Sequence, residues 1–327
     1  MDGLIQIGVQ WIIAIQGWGT WLEMPMKFFS FIGSENFFLL ILPLIYWCID
    51  ARLGLRLGFI LISSVYTRGF LKFLFAGPRP YWVSDRIIAY AAEPTFGVPS
   101  GHAQIAVDVW GILAAAIRKK WAWVVAVGLI FFIGVSRLYL GVHFPHDVVV
   151  GWLLGAALLW IFLRFEGRVA AWLAQKTLRT QILIGFIISL GMIALAMLVV
   201  ASLGNYVFPD AYKANALRAS DQLPDPVSMD ESISSAGIFF GLVVGAAWIK
   251  SRGGYQVEGP LEQRVRRFVV GLIGVILFWQ GLGLVLPRNA DLISSLFRYF
   301  RYALVGFWLF GGAPWLFFRF KLAKSNM

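Results

Sequence analysis

The chain has 327 residues, of which 59 % are hydrophobic and only 14 % charged, against about 25 % charged in an average soluble domain. So few charges cannot cover the surface of a water-soluble fold of this size, which excludes a soluble globular enzyme, and the apolar content excludes a disordered chain. The formal charge of +11 would suggest nucleic acid on a soluble protein. Here the apolar residues come in runs of about 18 or more, the length of a membrane-spanning helix, so the excess reads as the basic bias of cytoplasmic loops and nucleic acid is not an expected partner.

In chain order, the sequence starts Met1-Asp2-Gly3 without a basic leader or a cleavage signal, so no secretory signal peptide is expected. Residues 4–22 are apolar but interrupted by Gln6, Gln10 and Gln16 and rich in Trp, which predicts a helix lying in the membrane interface. About nine spans follow, near 32–49, 54–75, 100–117, 120–140, 146–164, 181–203, 233–250, 268–286 and 293–318. Helix is the default because backbone polar groups in lipid must be satisfied within their own segment or a closed barrel, and the alternation of a barrel strand is absent. The single cysteine, Cys48, lies inside an apolar run, so no internal disulfide is possible. The predicted fold is an all-α polytopic transmembrane bundle. Its divisions are an interfacial segment at 1–30, a six-helix core at 31–203, a loop at 204–232 and a three-span extension at 233–327.

Basic residues sort to one side of these spans. Arg52, Arg56, Arg118, Lys119, Lys120, Arg164, Arg168, Lys176, Arg179, Lys250, Arg252, Arg264, Arg266, Arg267, Arg319, Lys321 and Lys324 fall on one set of ends, while the opposite loop 204–232 is net acidic, with Asp210, Asp221, Asp225, Asp230 and Glu231 against Lys213 and Arg218. The positive-inside rule then puts the carboxyl terminus in the cytoplasm and the acidic loop outside.

Three clusters of ionisable residues lie at span ends on that outer side. The first is Lys72 followed by Arg79-Pro80-Tyr81-Trp82, with Gly77 and Pro78 breaking the helix between them. Alone, these could be cations snorkelling to the interface. The second is Pro99-Ser100-Gly101-His102, a helix-start signal whose free N–H groups suit an anion; alone, a histidine there is often an interfacial residue. The third is Ser136-Arg137, His143, Pro145, His146 and Asp147. Asp147 is four residues after His143, so the two share a face in a helical turn, and a carboxylate on one imidazole nitrogen leaves the other nucleophilic. A helix-capping carboxylate is the bland alternative. Three cations, a hydroxyl at a helix start, the two histidines His102 and His143 and a carboxylate beside the latter suit phosphoryl transfer. A magnesium site would need more carboxylates than Asp147 and the upstream Glu93 supply. Zinc on His102, His143 and Asp147 would be opposed by the three cations.

These residues resemble the type-2 phosphatidic acid phosphatase superfamily, which includes vanadium haloperoxidases. Its signature is K-x6-R-P, then P-S-G-H, then S-R-x5-H-x3-D, and all three parts match in order and spacing over roughly residues 30–165. The resemblance implies a metal-free enzyme with no cofactor, in which His143 is the nucleophile forming a phosphohistidine. Asp147 would orient His143, His102 would be the general acid, and Lys72, Arg79, Ser100, Gly101 and Arg137 would bind phosphate. His146 has no role in the signature. The phrases Arg79-Pro80-Tyr81-Trp82 and His143-Phe144-Pro145-His146, with nine spans, are similar to membrane glucose-6-phosphatase. The run Glu93-Pro94-Thr95-Phe96-Gly97-Val98-Pro99-Ser100 faintly resembles sphingosine-phosphate phosphatases.

The expected function is an integral-membrane phosphatase on a lipid phosphate: phosphatidic acid, phosphatidylglycerol phosphate, an isoprenyl (di)phosphate or a sphingoid phosphate. Its site would be extracytoplasmic, in an integral membrane protein whose membrane would be the bacterial-type inner membrane if the source is prokaryotic. Lipid is favoured because cationic span ends meet headgroups whose tails stay in hydrocarbon. A soluble sugar phosphate is the alternative substrate. A transporter of a phosphorylated solute is the rival from another class, but it predicts paired halves and midplane charges, and neither is visible.

Overall fold

The computed structural model describes residues 2–204, 206–221, 223–287, 289 and 291–324. Among them there are helices and no strands. The helices are α1 (Asp2–Gln16), α2 (Glu23–Ile32), α3 (Glu35–Leu44, extended by a π turn to Ile49), α4 (Ala51–Phe75), α5 (Pro80–Val83), α6 (Gly101–Ile117), α7 (Lys120–Tyr139) and α8 (Pro145–Ala174). After these come α9 (Leu178–Ser202), α10 (Asp210–Ser220), α11 (Asp230–Ser251), α12 (Leu261–Ile276, a π turn, then α13, Leu282–Val285) and α14 (Leu292–Phe307), which continues through a π turn into α15 (Ala313–Arg319).

Helix occupies every one of the nine predicted stretches. Among the described residues, six helical segments are long and apolar enough to cross a membrane: Ala51–Val83, α7, α8, α9, α11 and Leu261–Val285. The first predicted span belongs to a bent pair, Thr20–Ile32 with Glu35–Ile49, that turns through 50°. Its break falls at Gly33-Ser34, where the Ser34 hydroxyl bonds back to the Phe31 carbonyl and competes with helix continuation. The third, α6, is apolar but has 17 residues, about 25 Å of helix. The ninth carries Arg298 and Arg301.

The surface is inside out relative to a soluble protein. On α9, Leu183, Ile187, Met197 and Leu198 are exposed while Gly185, Ser189 and Ala196 are buried. On α7, Val124, Val127 and Phe131 face outward. Large apolar residues outside and small residues inside is the packing expected when lipid is the solvent. The protein is an integral-membrane helical bundle.

The chain forms two compact units that interleave along the sequence. One comprises the described residues of Met1–Phe38, Thr67–Phe162 and Met197–Ser228, the other those of Leu39–Tyr66, Leu163–Ala196 and Met229–Met327. In the first, α7 is the hub: α6, α2 and α1 pack on it, with Ile32, Ala106 and Ile133 at the centre. In the second, α11 packs along α14, with Gly237, Gly241 and Gly245 facing the α14 backbone and its π turn. A Cβ at Gly241 would overlap the Ala303 carbonyl oxygen and come within 2.6 Å of the Phe307 nitrogen. Gly241→Val is therefore expected to lower the melting temperature by well over 5 °C, because backbone cannot yield as a side chain tip can. A melting curve in detergent checks this, with Gly128→Val, where an added Cβ meets nothing within 4 Å, as the tolerated control.

Candidate active site

The three motif segments converge in the first unit. Pro145 opens α8 at its first position, where the missing N–H costs nothing. The turn before it brings His143 back over Asp147: Asp147 Oδ2 lies 3.2 Å from His143 Nδ1 and accepts the Phe144 N–H at 2.9 Å. Both side chains are buried. Gly97 lies against this pair, since a Cβ there would come within 2.6 Å of the Pro78 carbonyl oxygen and 3.2 Å of Asp147 Oδ2. The irregular segment after α5 can pass so close to the carboxylate only with glycine at that position.

The other imidazole nitrogen of His143 meets Arg79. Arg79 Nη1 is 3.4 Å from Nε2. A guanidinium has no acceptor, so Nε2 turns its lone pair to Arg79 while Nδ1 carries the proton toward Asp147. Burial, with Arg79, Arg137 and Lys72 nearby, holds the His143 imidazole well below its ordinary pKa, so it is neutral at physiological pH.

Arg79 is fully buried and its donors are largely committed. Nε donates to the Thr95 carbonyl at 2.6 Å, Nη1 to the Val142 carbonyl at 2.9 Å and Nη2 to the Phe96 carbonyl at 3.0 Å. Lys72 Nζ donates to Thr95 Oγ1 at 2.7 Å. The segment 93–97 is thereby tied to both cations of the first motif. Arg137, also buried, donates from Nη2 to Glu93 Oε1 at 2.6 Å and from Nη1 to the Ser30 hydroxyl, while its Nε has no partner.

Ser100 is the N-cap of α6, in extended conformation, and its side chain makes no cap bond. Its N–H donates to the Asp147 carbonyl at 3.0 Å, which fastens the start of α6 to the start of α8. Its hydroxyl is buried without a partner. A buried hydroxyl with no bond is costly, and at a helix amino terminus it adds a donor to a place already suited to an anion. Gly101 follows at the first helical position with Arg68 packed against its Cα. His102, half-buried one residue on, lies within electrostatic reach of Arg137, Glu93, Arg68 and Lys72.

All eight residues singled out from the sequence thus belong to one compact unit, and the contacts link them through the 93–97 segment, the His143 turn and the starts of α6 and α8. His146 stacks on Phe144, with ring centroids 5.3 Å apart and planes 10° from parallel. Its Nε2 is 3.1 Å from Asp147 Oδ1 without forming a hydrogen bond.

Three neighbours were not among the expected site residues. Glu93 enters the cation cluster, Thr95 bridges Lys72 and Arg79, and Arg68 pairs with Glu35 beside Gly101. The signals were present, in a charge four residues before Lys72 inside an apolar run and in a carboxylate seven residues before Ser100. The acidic loop also contributes: Asn215 Nδ2 on α10 donates to the Trp82 carbonyl at 2.8 Å, Phe208 stands edge-on to Trp82 at 5.0 Å, and Tyr206 stands edge-on to Phe96 at 5.3 Å.

The chain is similar to known families and proteins over the segments that carry these motifs. The PAP2 superfamily matches residues 53–170, and the PAP2 superfamily phosphatase transmembrane extension matches residues 233–325. Glucose-6-phosphatase 3 of Bos taurus is 27 % identical over 186 residues, covering 49 % of this chain and 54 % of the relative. An undecaprenyl-diphosphatase of Sulfolobus acidocaldarius is 28 % identical over 116 residues, covering 35 % and 56 %. Sphingosine-1-phosphate phosphatase 2 of Mus musculus is 29 % identical over 144 residues, covering 41 % and 39 %. The chain spans about half the length of the curated relatives it matches, and all three matches are to phosphatases of phosphate or diphosphate compounds. With the three motifs intact, gathered in one unit, and followed by the superfamily's own transmembrane extension, the chain belongs to the PAP2 superfamily.

Proposed function

We propose that this protein is an integral-membrane, metal-independent phosphatase that cleaves the phosphate ester or diphosphate of a lipid through a phosphohistidine on His143. The observation that carries this reading is the buried, unpartnered Ser100 hydroxyl at the start of α6. It stands beside Asp147 in the unit that also holds Lys72, Arg79 and Arg137. A buried donor left without a partner at a helix amino terminus suits an anion.

The steps follow from the atoms. His143 Nε2, unprotonated, turns its lone pair from Arg79 Nη1 to phosphorus, and the bond from phosphorus to the leaving oxygen breaks. His102 gives that oxygen a proton. Positive charge grows on the His143 ring and is stabilised through Nδ1–H by the Asp147 carboxylate. Water, losing its proton to His102, then attacks phosphorus, the N–P bond breaks and inorganic phosphate leaves. Lys72, Arg79, Arg137, the Ser100 hydroxyl and the Gly101 N–H hold the phosphate oxygens, where fixed cations stabilise the transition state most strongly in a dry site. His146 is assigned no role.

A lipid substrate is supported by the setting of these cations at helix ends in a membrane bundle, and by relatives named for undecaprenyl diphosphate and sphingosine-1-phosphate. The site opens on the extracytoplasmic side, with residues 31–203 as core and 233–327 as extension. A soluble sugar phosphate is the second reading, favoured by the match to a glucose-6-phosphatase over 49 % of this chain.

The test is phosphate release from phosphatidic acid by purified protein in detergent containing EDTA. Release is expected to be unchanged by EDTA and inhibited by orthovanadate, which adopts the five-coordinate geometry of the transferring phosphorus. Loss of activity in EDTA would mean that a metal ion does the work assigned to the cations. Release from glucose 6-phosphate but not from any lipid phosphate would select the second reading.

A further inference from the structure

The phosphate site of this protein contains an anion of its own. Glu93 Oε1 accepts a hydrogen bond from Arg137 at 2.6 Å, and Oε2 lies 4.0 Å from Arg79 Nη2. Lys72 and His102 also act on it. Burial alone would push the Glu93 carboxyl up, but Arg79, Arg137, His102 and Lys72 overcome this and hold it well below the usual carboxylate range. A full negative charge therefore faces the same cations that the proposed function assigns to substrate.

The way Glu93 is mounted separates its backbone from its side chain. The Tyr81 hydroxyl donates to the Glu93 carbonyl at 2.9 Å and accepts the Glu93 N–H at 3.2 Å. Tyr81 is buried and follows Arg79-Pro80 directly. The segment is held again where the Gly97 N–H meets the Gly77 carbonyl at 2.8 Å. The backbone is thus pinned on both sides, whereas the Glu93 side chain is 25 % exposed. Its carboxylate can leave the cations by rotation about side-chain bonds, a fast motion that needs no loop opening.

We infer that Glu93 is the resident anion of the phosphate site, a displaceable competitor that substrate phosphate drives out and that returns to expel product phosphate. This rests on the reading of the cation cluster as a phosphate site. A phosphate brings more charge and more acceptor oxygens than a carboxylate, so it can win the cations, and each turnover swaps one anion for the other. A site that is free only one time in ten binds about tenfold more weakly than an open one.

The experiment compares wild type with Glu93→Gln and Glu93→Asp, using inorganic phosphate as the probe. Glutamine keeps an oxygen for Arg137 but removes the charge, whereas aspartate keeps the charge on a shorter stem. For Glu93→Gln the inhibition constant for inorganic phosphate and the KM for the phosphorylated substrate should both fall about tenfold, while kcat does not rise with them. Glu93→Asp, which loses reach to Arg137, should shift both constants in the same direction. A phosphate inhibition constant that is unchanged or raised in Glu93→Gln would overturn the proposal, making Glu93 only a positioning residue for Arg137. If Glu93→Gln melts early in detergent, Glu93→Asp carries the decision alone. A wild-type protein that releases no phosphate from any substrate and shows no protection against unfolding by inorganic phosphate would overturn the site reading itself, a failure separate from that of Glu93.

Discussion

Alanine in place of His143 is expected to lower phosphate release by about 10³-fold or more, because no other group supplies the covalent step. The variant should still fold. Removing the imidazole deprives Asp147 Oδ2 of one neighbour, but that oxygen keeps the Phe144 N–H at 2.9 Å. The loss of one hydrogen bond to a charged group is about 1.5–3 kcal/mol, a cost a membrane bundle of this size withstands. The check is release kinetics beside a melting curve, with rapid acid and base quenching to look for a base-stable, acid-labile phosphoenzyme in wild type alone. Retention of more than a few per cent of activity would move the nucleophile to His146. That ring is close to Asp147 Oδ1, but it is stacked on Phe144 and meets no arginine in the contacts described. His143 is preferred because its Nε2 faces Arg79.

Asparagine in place of Asp147 is expected to slow the reaction by about 10²-fold without abolishing it. Asp147 Oδ2 faces two groups, the Phe144 N–H and His143 Nδ1. An asparagine can set its carbonyl oxygen in that position and satisfy both, so the tautomer and ring orientation survive. What it removes is the negative charge that steadies the imidazole once phosphorus is attached. Asp147→Ala removes the acceptor as well and should be slower than Asp147→Asn, with the Phe144 N–H left unpaired. Single-turnover rates decide this: equal rates for the two variants would mean that geometry contributes nothing, and a wild-type rate for Asp147→Asn would remove the carboxylate from the mechanism.

Much of this site was legible in the sequence because its logic is local. The four-residue spacing of His143 and Asp147 needs only one helical turn to become a contact. Pro145 fixes where α8 starts, and Ser100 fixes where α6 starts. Both are decided by neighbouring backbone, so spacing alone was sufficient. The helices were legible for a similar reason, since length and hydropathy along one segment determine whether it can satisfy its backbone in lipid. Span quality was less so. The break at Gly33-Ser34 and the shortness of α6 depend on a few terminal hydrogen bonds, which hydropathy does not register.

The sequence by itself therefore determined the membrane class and the helical segments through composition, and it named the candidate phosphate-site residues through motifs whose spacing carries a family resemblance. Tertiary structure alone decided how the cations are partnered. Arg79 spends its donors on the carbonyls of Thr95, Phe96 and Val142, and Arg137 pairs with Glu93 forty-four residues away. These pairings run through an irregular segment whose path is set by side-chain bonds such as that of Tyr81, not by any periodicity. The two interleaved units were hidden for the same reason. Long-range burial of charge and small-residue helix packing are properties of the folded surface, and a one-dimensional pattern records which groups are present without recording which of them meet.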